Sequence, residues 1–215
     1  GNASAVGDAP LLGFPLAGPK FAVLSTGNAD AFTTGDQSSH ISTNNNGPAR
    51  GGSDRDAVVL KIDLNVPAGA NCLSFGFRFL SEEYPEYVGK KYNDAFIAEL
   101  DKNTWTTDSS NISAPDNFAF DPTGAVISIN STGATTVKAE EAAGTTLDGS
   151  TPILYAATPV TPGAHSLYLS LFDQGDGVLD SVAMLDKLVV GTTVAGACKG
   201  GASTAPPPTE PPATT

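Results

Sequence analysis

The stretch "VLKIDLNV", residues 59–66, puts Leu60, Ile62, Leu64 and Val66 on one face and Lys61, Asp63 and Asn65 on the other. That strict alternation is the signature of a half-buried β-strand, since successive side chains of an extended chain point to opposite faces. "LSFGFRFL" (73–80) repeats it with Leu73, Phe75, Phe77 and Phe79. "KFAVLSTG" (20–27), "AFIAEL" (95–100), "AVISIN" (125–130), "HSLYLSLF" (165–172) and "SVAMLDKLVV" (181–190) read as further strands. Turn formers separate them: "VPAGAN", "DPTG", "TPGAH" and "DQGDG". No long helical pattern is present, and Pro85 and Gly89 limit "EYPEYVGKKY" to one helical turn at most. Short strands with Gly/Pro turns predict an all-β fold: an antiparallel β-sandwich, jelly-roll-like, with long polar loops. The segment 28–55, polar and Gly-rich, reads as one such surface loop.

The chain has 215 residues, 40% of them hydrophobic, enough for a sizeable core. Against 23 Asp and Glu stand 11 Lys and Arg, a net charge of −12. Such a polyanion lacks the basic footprint that nucleic acid requires and suits anionic membrane surfaces badly. It suits cations. No run approaches the eighteen or so apolar residues of a membrane span, so no direct membrane insertion is expected. The chain opens at Gly1 with neither Met nor a signal-peptide pattern and reads as mature or trimmed.

Composition changes at residue 199. "KGGASTAPPPTEPPATT" (199–215) holds almost nothing that could fill a core and reads as an extended spacer. The expected division is a sandwich domain over 1–198 and a linker or stalk over 199–215, tethering the domain to a further module or anchor. The only cysteines are Cys72 and Cys198. A bridge between them is expected in a secreted protein and would contribute about 4–5 kcal/mol in the chain-entropy model. Two unrelated buried thiols are the alternative.

For enzymatic chemistry the chain offers little. A hydrolytic triad needs a base, and the two histidines, His40 and His165, sit in the polar loop and at a strand start, as surface residues commonly do. No G-x-S-x-G, H-E-x-x-H or C-x-x-C occurs. Glu82 and Glu83 are neighbours and would point apart on a strand, a poor glycosidase pair. Glu82 with Asp173 or Asp176 would serve better.

A metal is the stronger reading. Calcium takes six to eight hard oxygens from carboxylates, Asn side chains and backbone carbonyls. "FDQGDGVLDS" (172–181) supplies Asp173, Asp176 and Asp180 between apolar strands, without EF-hand spacing. "SEEYPEYVGKKYND" (81–94) supplies Glu82, Glu83, Asn93 and Asp94 between two others. If the two loops meet at one end of a sandwich, calcium offsets the repulsion of these seven residues. If they stay apart, each is a turn with solvated carboxylates.

"FGFRFLSEEYPEYVGKKYNDAF" resembles the central signature of the bacterial choice-of-anchor L domain family. "LDGSTPILYAATPVTPGAHSLYLSLFDQGDGVLDSVAML" looks like its second half, and "FAVLSTGNA" is similar to its early element. The resemblance spans roughly residues 20–190. It carries Ser81, Glu82, Glu83, Tyr84, Glu86, Tyr87, Asn93, Asp94, Phe96, Asp148, Gly149, Asp173, Asp176, Asp180 and Ser181. "NFAFDPTGAVISIN" departs from the family pattern, and "STGATTVKAEEAAGTT" after it is short. The resemblance implies a secreted or cell-surface bacterial module with adhesive function. It also strengthens the expectation that the acidic loops share one site, with calcium as the cofactor. Tyr84 and Tyr87 are candidate ligand-binding residues, or pack beside the loop with their hydroxyls hydrogen-bonded. The partner would be a surface ligand, glycan or protein. The alternatives are a carbohydrate-binding module or glycoside hydrolase using the loop carboxylates, and a structural spacer with no dedicated ligand.

Overall fold

The computed structural model describes residues 2–38, 42–109, 111–199 and 201–203. His40 and the Pro/Thr-rich stretch from residue 204 lie outside the described residues.

Two antiparallel sheets pack face to face. The larger runs in the order β1 (Ser4–Gly7), β2 (Phe21–Ser25), β12 (Ser181–Gly191), β4 (Cys72–Ser81), β10 (Leu154–Pro159) and β13 (Gly201–Ser203), with β9 (Gly149–Ser150) also pairing with β4. The smaller runs β3 (Asp54–Val66), β11 (Gly163–Gln174), β5 (Ala95–Leu100) and β8 (Ile127–Ser128). A separate hairpin joins β6 (Thr106–Asp108) to β7 (Asn111–Ser113). The chain is all-β and sandwich-like, as the alternation requires.

Leu73, Phe75, Phe77 and Phe79 face the inter-sheet core with Phe96, Leu167, Leu169, Leu171 and Leu185. Alternation predicts a solvent-facing opposite side for β4, yet all ten of its residues are buried. The reason is a second apolar layer on the outer face of the large sheet, where Phe14, Phe32 and Leu147 cover Leu80, Val182 and Met184. Arg78 is buried there too, its guanidinium held by Glu141 at 2.8 Å and by the Thr151 carbonyl at 2.8 Å.

Sequence periodicity located the long strands and missed others. β10, with its "AATP", lacks alternation and gave no signal. "AVISIN" contributes only the two-residue β8. Cys72 and Cys198 are bridged, with Cα atoms 5.6 Å apart. The large sheet takes up backbone beyond that bridge, because Gly201–Ser203 pairs with Tyr155–Ala157.

Register brings six strand termini to one end. Val182 pairs with Ser25, Ser181 with Ser81, Gln174 with Asp54 and Phe172 with Ala95. The three connections leaving that end, 26–53, 82–94 and 175–180, each cross from one sheet to the other. Both acidic segments are among them.

Candidate metal centre

The two acidic loops meet. The Glu82 amide donates to the Asp180 carbonyl at 3.1 Å, and the Asp180 amide donates to Oε2 of Glu82 at 3.3 Å. Asp94, at the start of β5, accepts from the Ser181 hydroxyl at 2.7 Å and from the Gln174 amide at 3.1 Å. Glu82, Glu83, Asp94, Asp173 and Asp180 are each at most 3% exposed. Asp176 is half-buried and accepts from the Val178 amide in a local turn. Asn93 is buried and bridges loops: its amide donates to the Gln174 carbonyl at 3.1 Å, and its Oδ1 accepts from the Asn130 amide at 2.8 Å.

Sequence reasoning missed Asp56, which is 4% exposed and close enough to raise the pKa of Asp173. Its φ of +47° is rare for a residue with a β-carbon, and no pattern in "DRDAV" announces it. It also missed that residues 42–47 are held down by these acids. The Thr43 amide reaches Oδ2 of Asp180 at 3.2 Å, and the Asn46 amide reaches Oδ1 of Asp56 at 2.8 Å. Gly27 is another participant. A β-carbon there would lie 1.7 Å from Oδ2 of Asp180, so only glycine lets that carboxylate lie against the backbone.

Burial pushes these carboxyls up, because it removes the water that stabilises the anion. Glu83 rises to about 9, by burial first and then by Asp94, Asp176 and Glu82. Burial takes Asp94 to about 7 in spite of its hydrogen bonds. It takes Asp180 to about 7, with Glu82 and Asp94 adding to it. Asp173 is driven well above the usual carboxylate range by burial, then by Asp94, Asp180 and Asp56.

Asp173 is the outlier among them. Among the described residues neither of its carboxylate oxygens accepts a hydrogen bond, nor does Oε2 of Glu83, while the Asp173 side chain is placed to hydrogen-bond the Asp94 carboxylate and lowers its pKa in part. The Thr26 hydroxyl lies near enough to Asp173 to lower its pKa in part. That hydroxyl is engaged elsewhere, accepting from the Ser181 amide at 2.9 Å and donating to the Ser181 carbonyl at 3.4 Å. Asp54, 0% exposed on the neighbouring strand, shows the ordinary solution. It accepts from the Arg50 amide (2.6 Å), the Gly51 amide (2.5 Å) and the Thr107 hydroxyl (2.7 Å), and these bonds hold its pKa low against burial. A buried carboxylate without such donors needs a proton or a cation.

Among the described residues, no three His, Cys, Asp or Glu side chains are gathered closely enough to hold a metal ion as they stand. A hard cation here would draw backbone, hydroxyl and amide oxygens into its shell beside Asp173, as calcium does.

The remaining candidates fall elsewhere. Tyr84 packs its ring against the core and Gly149. Tyr87 is half-buried and meets Tyr92 edge-on, ring centroids 5.2 Å apart. His165 lies at the far end of β11 from Asp173, with Nδ1 2.6 Å from Oδ2 of Asp101. Trp105 is 1% exposed, stacked on Phe172 at 4.1 Å beneath the Arg50 guanidinium, and presents no face to a ligand.

No curated protein and no solved structure matches the chain. The model of the Choice-of-anchor L domain matches it over residues 14–188. That interval contains the whole acidic end and both halves of the sandwich, so the chain belongs to the Choice-of-anchor L domain family and is a cell-surface-related module.

Proposed function

We propose that this domain is a non-enzymatic adhesion or recognition module, secreted and displayed at the bacterial surface, whose inter-sheet loops are braced by calcium. The observation that carries the calcium reading is Asp173. It is buried against Asp94, and among the described residues neither of its oxygens accepts a hydrogen bond, at the end where three crossover loops converge. A dication there replaces mutual repulsion among Asp94, Asp173 and Asp180 with shared attraction. Backbone or amide oxygens near Asp173 would complete its shell.

Enclosure of the carboxylates supports a bracing role over hydrolysis. Glu82 and Asp173, the pair that glycoside hydrolysis would need, are 1% and 2% exposed, so no sugar ring reaches between them. The ligand, glycan or protein, would meet the exposed parts of the loops the ion holds in place. Tyr87 is the aromatic best placed there. The C-terminal segment would serve as the tether.

The test has two stages. Calcium is first added back to EDTA-treated protein during thermal melting. A hundredfold excess over the dissociation constant stabilises by about 2.7 kcal/mol, which is about 5–10 °C for a domain of this size. The bead-coupled domain is then screened against glycan and surface-protein arrays, with calcium and with EDTA. Calcium-dependent capture supports the reading. An unchanged melt removes the calcium, and silence on both arrays removes the recognition function.

A further inference from the structure

The two sheets do not close along one side of the sandwich. Leu60 and Ile62 sit on the core-facing side of β3 but are only half-buried. They open onto a cleft of about 280 Å³ whose floor is Phe75, Leu167, Leu169 and Leu185. Its size is at the small end of ligand pockets, and its walls are almost wholly hydrocarbon, as such pockets usually are.

The mouth differs from the walls. Lys20 and Lys187 stand there with Val6 and Leu188, which are 65% and 40% exposed. Neither lysine enters an ion pair among the described residues. The nearby acid, Asp186, is already engaged. Its Oδ2 accepts from the amides of Leu16 (2.5 Å) and Ala17 (2.9 Å), and its Oδ1 accepts from the Lys187 amide (2.6 Å). With two lysines against the single carboxylate of Asp186, this apolar opening carries a local positive balance in a chain of 23 acidic and 11 basic residues.

The backbone is built to place one of them. The pairing of β12 with β4 slips between Asp186 and Val189, and Lys187 takes a φ of +56° within that bulge. A side chain with a β-carbon adopts that conformation at an energetic cost, and bulges re-aim side chains at functional positions. Here the bulge puts Lys187 at the cleft.

We propose that this cleft binds a single-chain aliphatic carboxylate, with the hydrocarbon between the sheets and the headgroup on Lys20 and Lys187. The apolar walls take the chain by the hydrophobic effect, and the paired lysines select an anion over a neutral or cationic head. The site is separate from the acidic end and independent of the calcium reading.

The experiment is calorimetric titration in EDTA, below micelle concentrations, with decanoate, octanoate, decanol and decyltrimethylammonium. Decanoate binds one per chain, octanoate binds about fifteenfold more weakly, decanol more weakly than decanoate, and the cation not at all. The two lost methylenes set the chain-length factor, at about fourfold each. Lys20→Glu with Lys187→Glu, the first exposed and the second half-buried, weakens decanoate at least tenfold without lowering the melting temperature. Ile62→Trp, which fills the cleft, abolishes binding. Absence of saturable decanoate binding overturns the proposal. So does equal binding of all four amphiphiles, and so does a wild-type dimer that Lys187→Glu converts to monomer.

Discussion

Glu82 and Asp180 hold each other in both directions, the amide of Glu82 on the carbonyl of Asp180 and the amide of Asp180 on the carboxylate of Glu82. The residues are 98 positions apart in the chain. The two hydrogen bonds tie the crossover leaving β4 to the crossover entering β12.

Asp173→Asn removes the buried ionisable group and keeps the shape. In EDTA at pH 8 the variant is expected to melt at or above the wild-type temperature, because a neutral amide is less costly to bury than a carboxylate. With calcium, the variant gains nothing where the wild type gains several degrees. Parallel melts of the two proteins check this. A variant that keeps the full calcium shift removes Asp173 from the site.

The acidic end also sets a pH dependence. Glu83, Asp94 and Asp180 have folded pKa values raised above their unfolded ones, to about 9, 7 and 7. Between about pH 4 and those values the folded state holds more protons than the unfolded chain. Stability is therefore complete below about pH 4 as far as these groups are concerned, and it is lost as pH rises through 7 and 9. The slope is at most about 1.4 kcal/mol per pH unit for each group, less for the partly solvated ones. In EDTA the melting temperature should fall from pH 5 to pH 9, and calcium should flatten that fall by replacing protons. A metal-free melt that rises across this range contradicts the raised values.

Gly27→Ala is predicted to destabilise by about 1–3 kcal/mol, the usual range for forcing atoms into a packed site. The new methyl would fall 1.7 Å from Oδ2 of Asp180 and would expel that carboxylate. The bond from the Thr43 amide to Asp180 would go with it. Faster hydrogen exchange confined to residues 42–47 is the specific readout. Uniform loosening of the whole domain would mean the effect is not local.

Removing the bridge, with Cys72→Ser and Cys198→Ser together, is expected to cost about 4–5 kcal/mol for a sequence separation of 126. The strand Gly201–Ser203 should lose its protection from exchange first, since it follows the bridge directly. Denaturant titration of wild type and variant measures the first effect, and exchange the second. Equal midpoints would show that strand pairing alone retains the C-terminal segment.

What the chain revealed by itself was local. Period-two alternation marks Leu60, Ile62 and Leu64 or Phe75, Phe77 and Phe79 as core-facing, because an extended backbone points successive side chains to opposite faces wherever it lies. The same periodicity could not reveal the second apolar layer that buries Arg78 and Leu80, which needs Phe14 and Phe32 to fold over the sheet. It could not distinguish a buried Trp105 from an exposed one. The acidic residues of the two loops were legible as candidates from residue type and position between apolar strands. Their meeting was not, nor the place of Asp56 and Gly27 beside them. That proximity comes from Ser81 pairing with Ser181 and from three crossovers turning at the same end. Long-range register leaves no local trace in a sequence. The carboxylates themselves are ordinary residues, and only tertiary packing, by removing water and hydrogen-bond donors from Asp173, raises its pKa and leaves it needing a proton or a cation.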